Sequence, residues 1–193
     1  MEEKSFKEKI EKLENFSFPR YKDLPEIELY MDQVISVAEK YLGVLSVGKR
    51  NIITSSMINN YVKNGVIPPP EKKRYTRDHL AQIIIVCALK QTVEITDISV
   101  MIKKMTEAYG VAETFDTFAA LYEKYTSAIV ISARETSDSD SASGGIYKTV
   151  VDNAILSSTA RTVVEYAMST IEPPAEEEKP KKKKSKEEEP AEN

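Results

Sequence analysis

Apolar residues recur along most of this chain at the i, i+3, i+4, i+7 spacing of a helix face, so the pattern predicts a mainly helical, all-α protein. Phe6, Ile10 and Leu13, set among many charges, predict a short amphipathic helix near the N-terminus. Pro19 and Pro25 bracket a connection. Beyond it Ile27, Met31, Val34, Ile35, Ala38 and Leu42 mark a helix with a clean apolar face. Later, the run LAQIIIVCALK is apolar on almost every side, which requires a helix buried all round. Thr96 is placed to cap a short helix carrying Ile98, Met101, Ile102 and Met105. Phe115, Phe118, Ala119, Tyr122, Tyr125, Ile129 and Val130 outline a long helix over 112–133, close to a heptad repeat. A second long helix over 146–170 has Tyr147, Val150, Val151, Ala154, Ile155, Val163, Val164, Ala167 and Met168 as its apolar face. The small, polar stretch ETSDSDSASGG between them reads as a flexible loop joining an antiparallel hairpin.

One element stands apart because its polar face is as ordered as its apolar face. Thr54 or Ser55 is a side-chain cap, MINNYVK follows, and Gly65 ends the helix. Met57, Ile58, Tyr61 and Val62 form the core-facing side; Ser56, Asn59, Asn60 and Lys63 form a polar stripe without a carboxylate. Amides bond adenine edges and hydroxyls bond phosphates, so such a stripe suits a helix lying in a DNA major groove. Pro68, Pro69 and Pro70 then stiffen an extended connection into Lys72, Lys73, Arg74, Tyr75 and Arg77.

Charge sharpens this picture. The chain as a whole is acidic, with a formal charge of -4. From Val47 to Lys90, however, there are eight basic residues (49, 50, 63, 72, 73, 74, 77 and 90) against Glu71 and Asp78. A local basic patch of this kind attracts phosphates in a salt-dependent way.

The residues GVIPPP followed by RYTRDHL make the stretch resemble the N-terminal winged helix-turn-helix of MerR-type transcription regulators. More closely, Tyr30 to Met105 resembles an uncharacterised bacterial family, a domain of unknown function with the same MINNYVK…KKRYTR pattern. The resemblance implies an N-terminal MerR-like winged helix-turn-helix followed by a long C-terminal helical hairpin. It also implies a capping role for Thr54, DNA-facing roles for Ser56 and Asn59, an aromatic at Tyr61 packed behind the helix near phosphate, and a phosphate-contacting pair at Arg74–Tyr75. The expected DNA-binding set is therefore Thr54, Ser55, Ser56, Asn59, Asn60, Tyr61, Lys63, Lys72, Lys73, Arg74, Tyr75 and Arg77. The domains expected are an arm over 1–24, the winged unit over 25–107, a dimerisation or effector region over 108–171, and a charged tail over 172–193 that lacks the apolar residues needed to fold.

The function expected is that of a dimeric regulator bound to double-stranded DNA. The alternative is a protein-interaction module on the same scaffold, suggested by the overall acidity, the missing Asn-Gly wing loop and the arginine-poor recognition helix. No enzyme, cofactor or metal is expected: His79 is the only histidine, and Cys87 the only cysteine, read as a buried structural thiol. The charged N-terminus and the short, Gln82-interrupted apolar run argue for a cytoplasmic protein without a membrane span. Tyr122, Tyr125 and Tyr147 are read as filling helix packing, with a small-molecule effector pocket as the alternative.

Overall fold

The computed structural model describes residues 2–47, 51–138 and 144–171, and it is mainly helical. Helix α1 spans Glu2–Glu14, α2 Met31–Leu42, α3 Ser55–Lys63, α4 Arg77–Leu89, α5 Ile95–Asp138 and α6 Gly144–Ile171. Among the described residues the only β pairing is two isolated bridges.

Helix α4 is the centre of the fold. Leu80 through Cys87 are all buried, as an all-round apolar helix demands, with α2 on one side and α5 on the other. Val34, Ala38 and Leu42 of α2 and Ile58 and Tyr61 of α3 close the same core. That core does not stop at residue 107. Phe115 and Ala119 belong to it, because α5 runs on through a kink at Gly110, whose φ of 79° is a left-handed value that side-chain-bearing residues rarely adopt. The two helices expected over 96–105 and 112–133 are thus two arms of one bent element. The first arm also begins earlier than expected: the Glu94 carbonyl accepts the Ile98 N–H at 3.0 Å, which leaves Thr96 inside the first turn and not at the cap.

The N-terminal segment is docked. Phe18 and Leu24 lie in the core, Arg20 meets Glu123 at 2.7 Å, and the Tyr21 N–H donates to Asp116 at 2.6 Å. The helix expected from Ile27 starts only at Met31, where the Tyr30 N–H is capped by Gln33 Oε1. Before it, Leu29 exchanges two 2.8 Å backbone hydrogen bonds with Tyr75 in an isolated bridge, which keeps Leu29 out of the helix, and Ile27 is exposed.

Helix α6 folds back on the second arm of α5, and of the face its pattern predicts only Val164 and Met168 are half-buried. Gly145, Thr149 and Asn153 turn toward the protein, while Tyr147, Val150, Val151, Ile155 and Val163 are exposed. The expected 135–145 loop lies partly outside the described residues; 135–138 and Gly144–Gly145 are helical. The charged tail lies wholly outside them.

Candidate nucleic-acid interface

Thr54 starts α3 as expected: its Oγ1 accepts the Met57 N–H at 3.2 Å and satisfies one of the free donors of the first turn. Gly65, at φ 69°, ends the helix in the conformation glycine tolerates best. Between them the two faces separate as the spacing requires. Ile58 and Tyr61 are 0% and 2% exposed, whereas Ser55, Ser56, Asn59, Asn60 and Lys63 are all exposed. Among the described residues nothing occupies the Asn59 amide, while Asn60 Oδ1 accepts from Asn64 Nδ2 at 3.0 Å.

Two members of the expected set are core residues. The Tyr61 phenol is packed against the Cys87 thiol, and burial, with the thiol adding to it, raises the phenol pKa strongly. Tyr75 is 3% exposed, with its ring edge-on to His79 at 5.7 Å. Both side chains hold the scaffold from behind and do not reach its surface. The cause is geometric: Tyr61 shares the i, i+3 face of Ile58, and the backbone of Tyr75 is fixed by its bridge to Leu29.

The wing is a four-residue turn. The Arg74 N–H donates to the Glu71 carbonyl at 2.8 Å, and Lys72 and Lys73, both at positive φ (46° and 64°), form its apex. Two consecutive left-handed residues define a type I′ turn, a position usually given to Asn-Gly. Lysines at this apex project charge from a tight tip at some cost in backbone strain.

The basic patch divides once its partners are seen. Arg74 faces Glu28 at 3.5 Å and the Tyr30 ring at 5.6 Å; Arg77 faces Glu26 at 4.0 Å and the Tyr21 ring at 5.3 Å. The exposed Arg74–Glu28 pair is worth roughly 0–1 kcal/mol, and together with the contact of half-buried Arg77 to Glu26 it offsets the positive charge on that side. Lys90 is turned inward, its Nζ donating to the Ile52 carbonyl at 2.5 Å. Lys49 and Arg50 lie outside the described residues. Lys63, Lys72 and Lys73 remain exposed, without an acidic partner among the described residues.

Glu26 and Glu28 are the residues sequence reasoning missed. Nothing in their own stretch of sequence announces the Leu29–Tyr75 bridge that brings them beside the wing. His79, in the first turn of α4, accepts the Thr76 N–H on its Nδ1 at 3.1 Å. It thereby takes the third position of a capping box, where Glu or Gln is usual. Asp78 accepts from the Tyr21 hydroxyl; burial first, then this bond, pushes the phenol up to about 12. Cys87 is buried as expected, with burial pushing its thiol up to about 11.

Residues 19–125 match the family model of the domain of unknown function DUF1836. The chain belongs to this family. The DUF1836 region takes in α2, α3, α4 and the bent α5 as far as Tyr125, further in both directions than the Tyr30–Met105 resemblance. No curated protein and no solved structure matches the chain. Among the described residues no helix is long and apolar enough to cross a membrane, and no group of His, Cys, Asp or Glu gathers to hold a metal ion.

Proposed function

We propose that this DUF1836 protein is a DNA-binding transcription regulator, acting as a dimer through a MerR-like winged helix-turn-helix. The observation that carries the reading is the exposed face of α3: Ser56, Asn59, Asn60 and Lys63 stand clear of the core with no carboxylate among them. Ser56 and Asn59 offer groups matched to base edges and phosphates, and Lys63 adds charge at the end of the same face. Lys72 and Lys73, at the apex of the turn, supply sequence-independent attraction to the phosphate backbone. The exposed apolar residues of α6 supply a surface for a second copy, and a two-fold dimer would read a roughly palindromic site.

Selection from random DNA at two salt concentrations tests this reading. Enrichment of a palindromic motif, with affinity falling steeply as salt rises, is the expected result. The combined Asn59→Ala, Asn60→Ala and Lys73→Ala variant should lose the motif; unchanged binding by that variant overturns the reading.

A second reading, a protein-interaction module, is favoured by the pairing of Arg74 and Arg77 with Glu28 and Glu26, which offsets part of the positive charge around the turn. It is distinguished by weak DNA binding without sequence preference.

A further inference from the structure

The kink at Gly110 sets the two arms of α5 at an angle, and a groove of about 400 Å³ opens between them and the end of α4. Its walls include Leu89 on α4, Met101 and Met105 on the first arm, and Leu121, Tyr122 and Tyr125 on the second. The volume lies within the range of roughly 300–1,000 Å³ found for small-molecule sites.

The two walls differ in stiffness. Behind Tyr122 stands an aromatic cluster in which Phe18 lies 5.3 Å from Phe118 and 5.1 Å from Tyr122, ring centre to ring centre. Opposite it, the methionines are unbranched and polarizable, able to follow the shape of what they meet. Among the described residues no Asp, Glu, Lys, Arg or His lines the groove. A charged ligand would lose its water there without compensation. The polar groups available are hydroxyls. That of Thr114 is already given to the Gly110 carbonyl at 2.7 Å, which leaves those of Thr117, Thr126 and the tyrosines for a neutral guest.

We infer that this groove binds an uncharged, predominantly apolar small molecule, held against Tyr122 and Tyr125 by contact and by few hydrogen bonds. The chain's own tail is no rival occupant, since residues 172–193 carry neither an aromatic nor a large aliphatic side chain. The reading of Tyr122, Tyr125 and Tyr147 as packing thus changes. Tyr122 is half-buried in the cluster, Tyr125 is a 58% exposed wall of the groove, and Tyr147, 69% exposed, takes no part in it. The inference stands whether or not the chain binds DNA.

Titration of the full chain with N-phenyl-1-naphthylamine, a neutral apolar fluorophore, tests it. The expected result is saturable enhancement with one site per chain. Leu121→Glu and Tyr125→Glu, both at partly exposed positions, should weaken the affinity by about tenfold or more by placing a charge in the groove. Tyr166→Glu, at an exposed position on α6, should leave it unchanged. Circular dichroism establishes that each variant is folded, and Thr117→Arg, also exposed on the groove wall, stands in if either glutamate variant is not. Three results overturn the inference: no saturable binding; an equal loss in Tyr166→Glu, which would move the probe to α6; or displacement of the probe as sedimentation shows the chain self-associating, which would make a second copy the occupant.

Discussion

Helices α4 and α6 are both rich in apolar residues and meet opposite fates. Every residue from Leu80 to Cys87 is buried in α4, between α2 and α5, whereas in α6 the buried residues are Gly145 and Thr149. Most large side chains of α6, among them Tyr147, Val151 and Ile155, face outward. The contrast comes from what each helix can press against a neighbour. Gly145 lies so near α5 that a Cβ there would stand 2.7 Å from the Ser137 carbonyl oxygen. Such an approach is open only to a small residue, so the small face turned inward and the branched face was left for another surface. An apolar pattern expresses a demand for burial; it does not name the partner that meets it.

The sharpest way to break this comparison is to truncate one side chain on each helix. Ile84→Ala, at a fully buried site, should cost roughly 2–5 kcal/mol, seen as a lower urea midpoint at any protein concentration. Ile155→Ala should change the stability of the dilute protein by less than about 0.5 kcal/mol, and on the proposed dimer through α6 it should weaken self-association measured by sedimentation. Equal, concentration-independent losses from the two would show that α6 is buried within its own chain.

Gly145→Ala probes the hinge of the contrast and should have an intermediate effect. The added methyl meets Ser137 backbone, which cannot rotate away, so α6 must shift, at a cost of about 1–3 kcal/mol. Loss of hydrogen-exchange protection confined to 144–153 would locate the damage; a variant as protected as wild type would refute the close approach.

An effect visible only at alkaline pH concerns the interior of α4. Cys87 has its pKa raised from 9.0 to about 11, and Tyr61 is pushed up beside it. Both groups stay neutral in the fold, so the stability each contributes is complete below its unfolded pKa and is lost as pH rises through the folded value. For Cys87 that window runs from pH 9.0 to about 11. The melting temperature should therefore fall less steeply across it in Cys87→Ala than in wild type, and native Cys87 should resist iodoacetamide at pH 8 until urea is added. Rapid alkylation of the native protein would contradict the burial.

Some of the candidate site could be read without coordinates because its signals are local. The Thr54 cap, the stop at Gly65 and the division of α3 into Ile58–Tyr61 and Ser56–Asn59–Asn60–Lys63 faces depend on residues within a few positions of each other. The rest depended on partners far along the chain. Lys90 counted as part of a basic patch until the Ile52 carbonyl was found beneath it, and Arg74 and Arg77 until Glu28 and Glu26 were found beside them. Tyr75 was placed on the wing's surface because nothing near it in sequence announces a bridge to Leu29.

The sequence by itself therefore determined a mainly helical chain, the membership of residues 19–125 in an uncharacterised family, and which faces of each helix are apolar. These follow from backbone periodicity and short-range capping, which neighbouring residues settle among themselves. The tertiary structure alone decided which apolar faces are covered, which cations keep their charge free, and that a bend at Gly110 opens a groove on one side of α5. Burial and charge pairing are relations between distant segments, and only a folded backbone sets their distances.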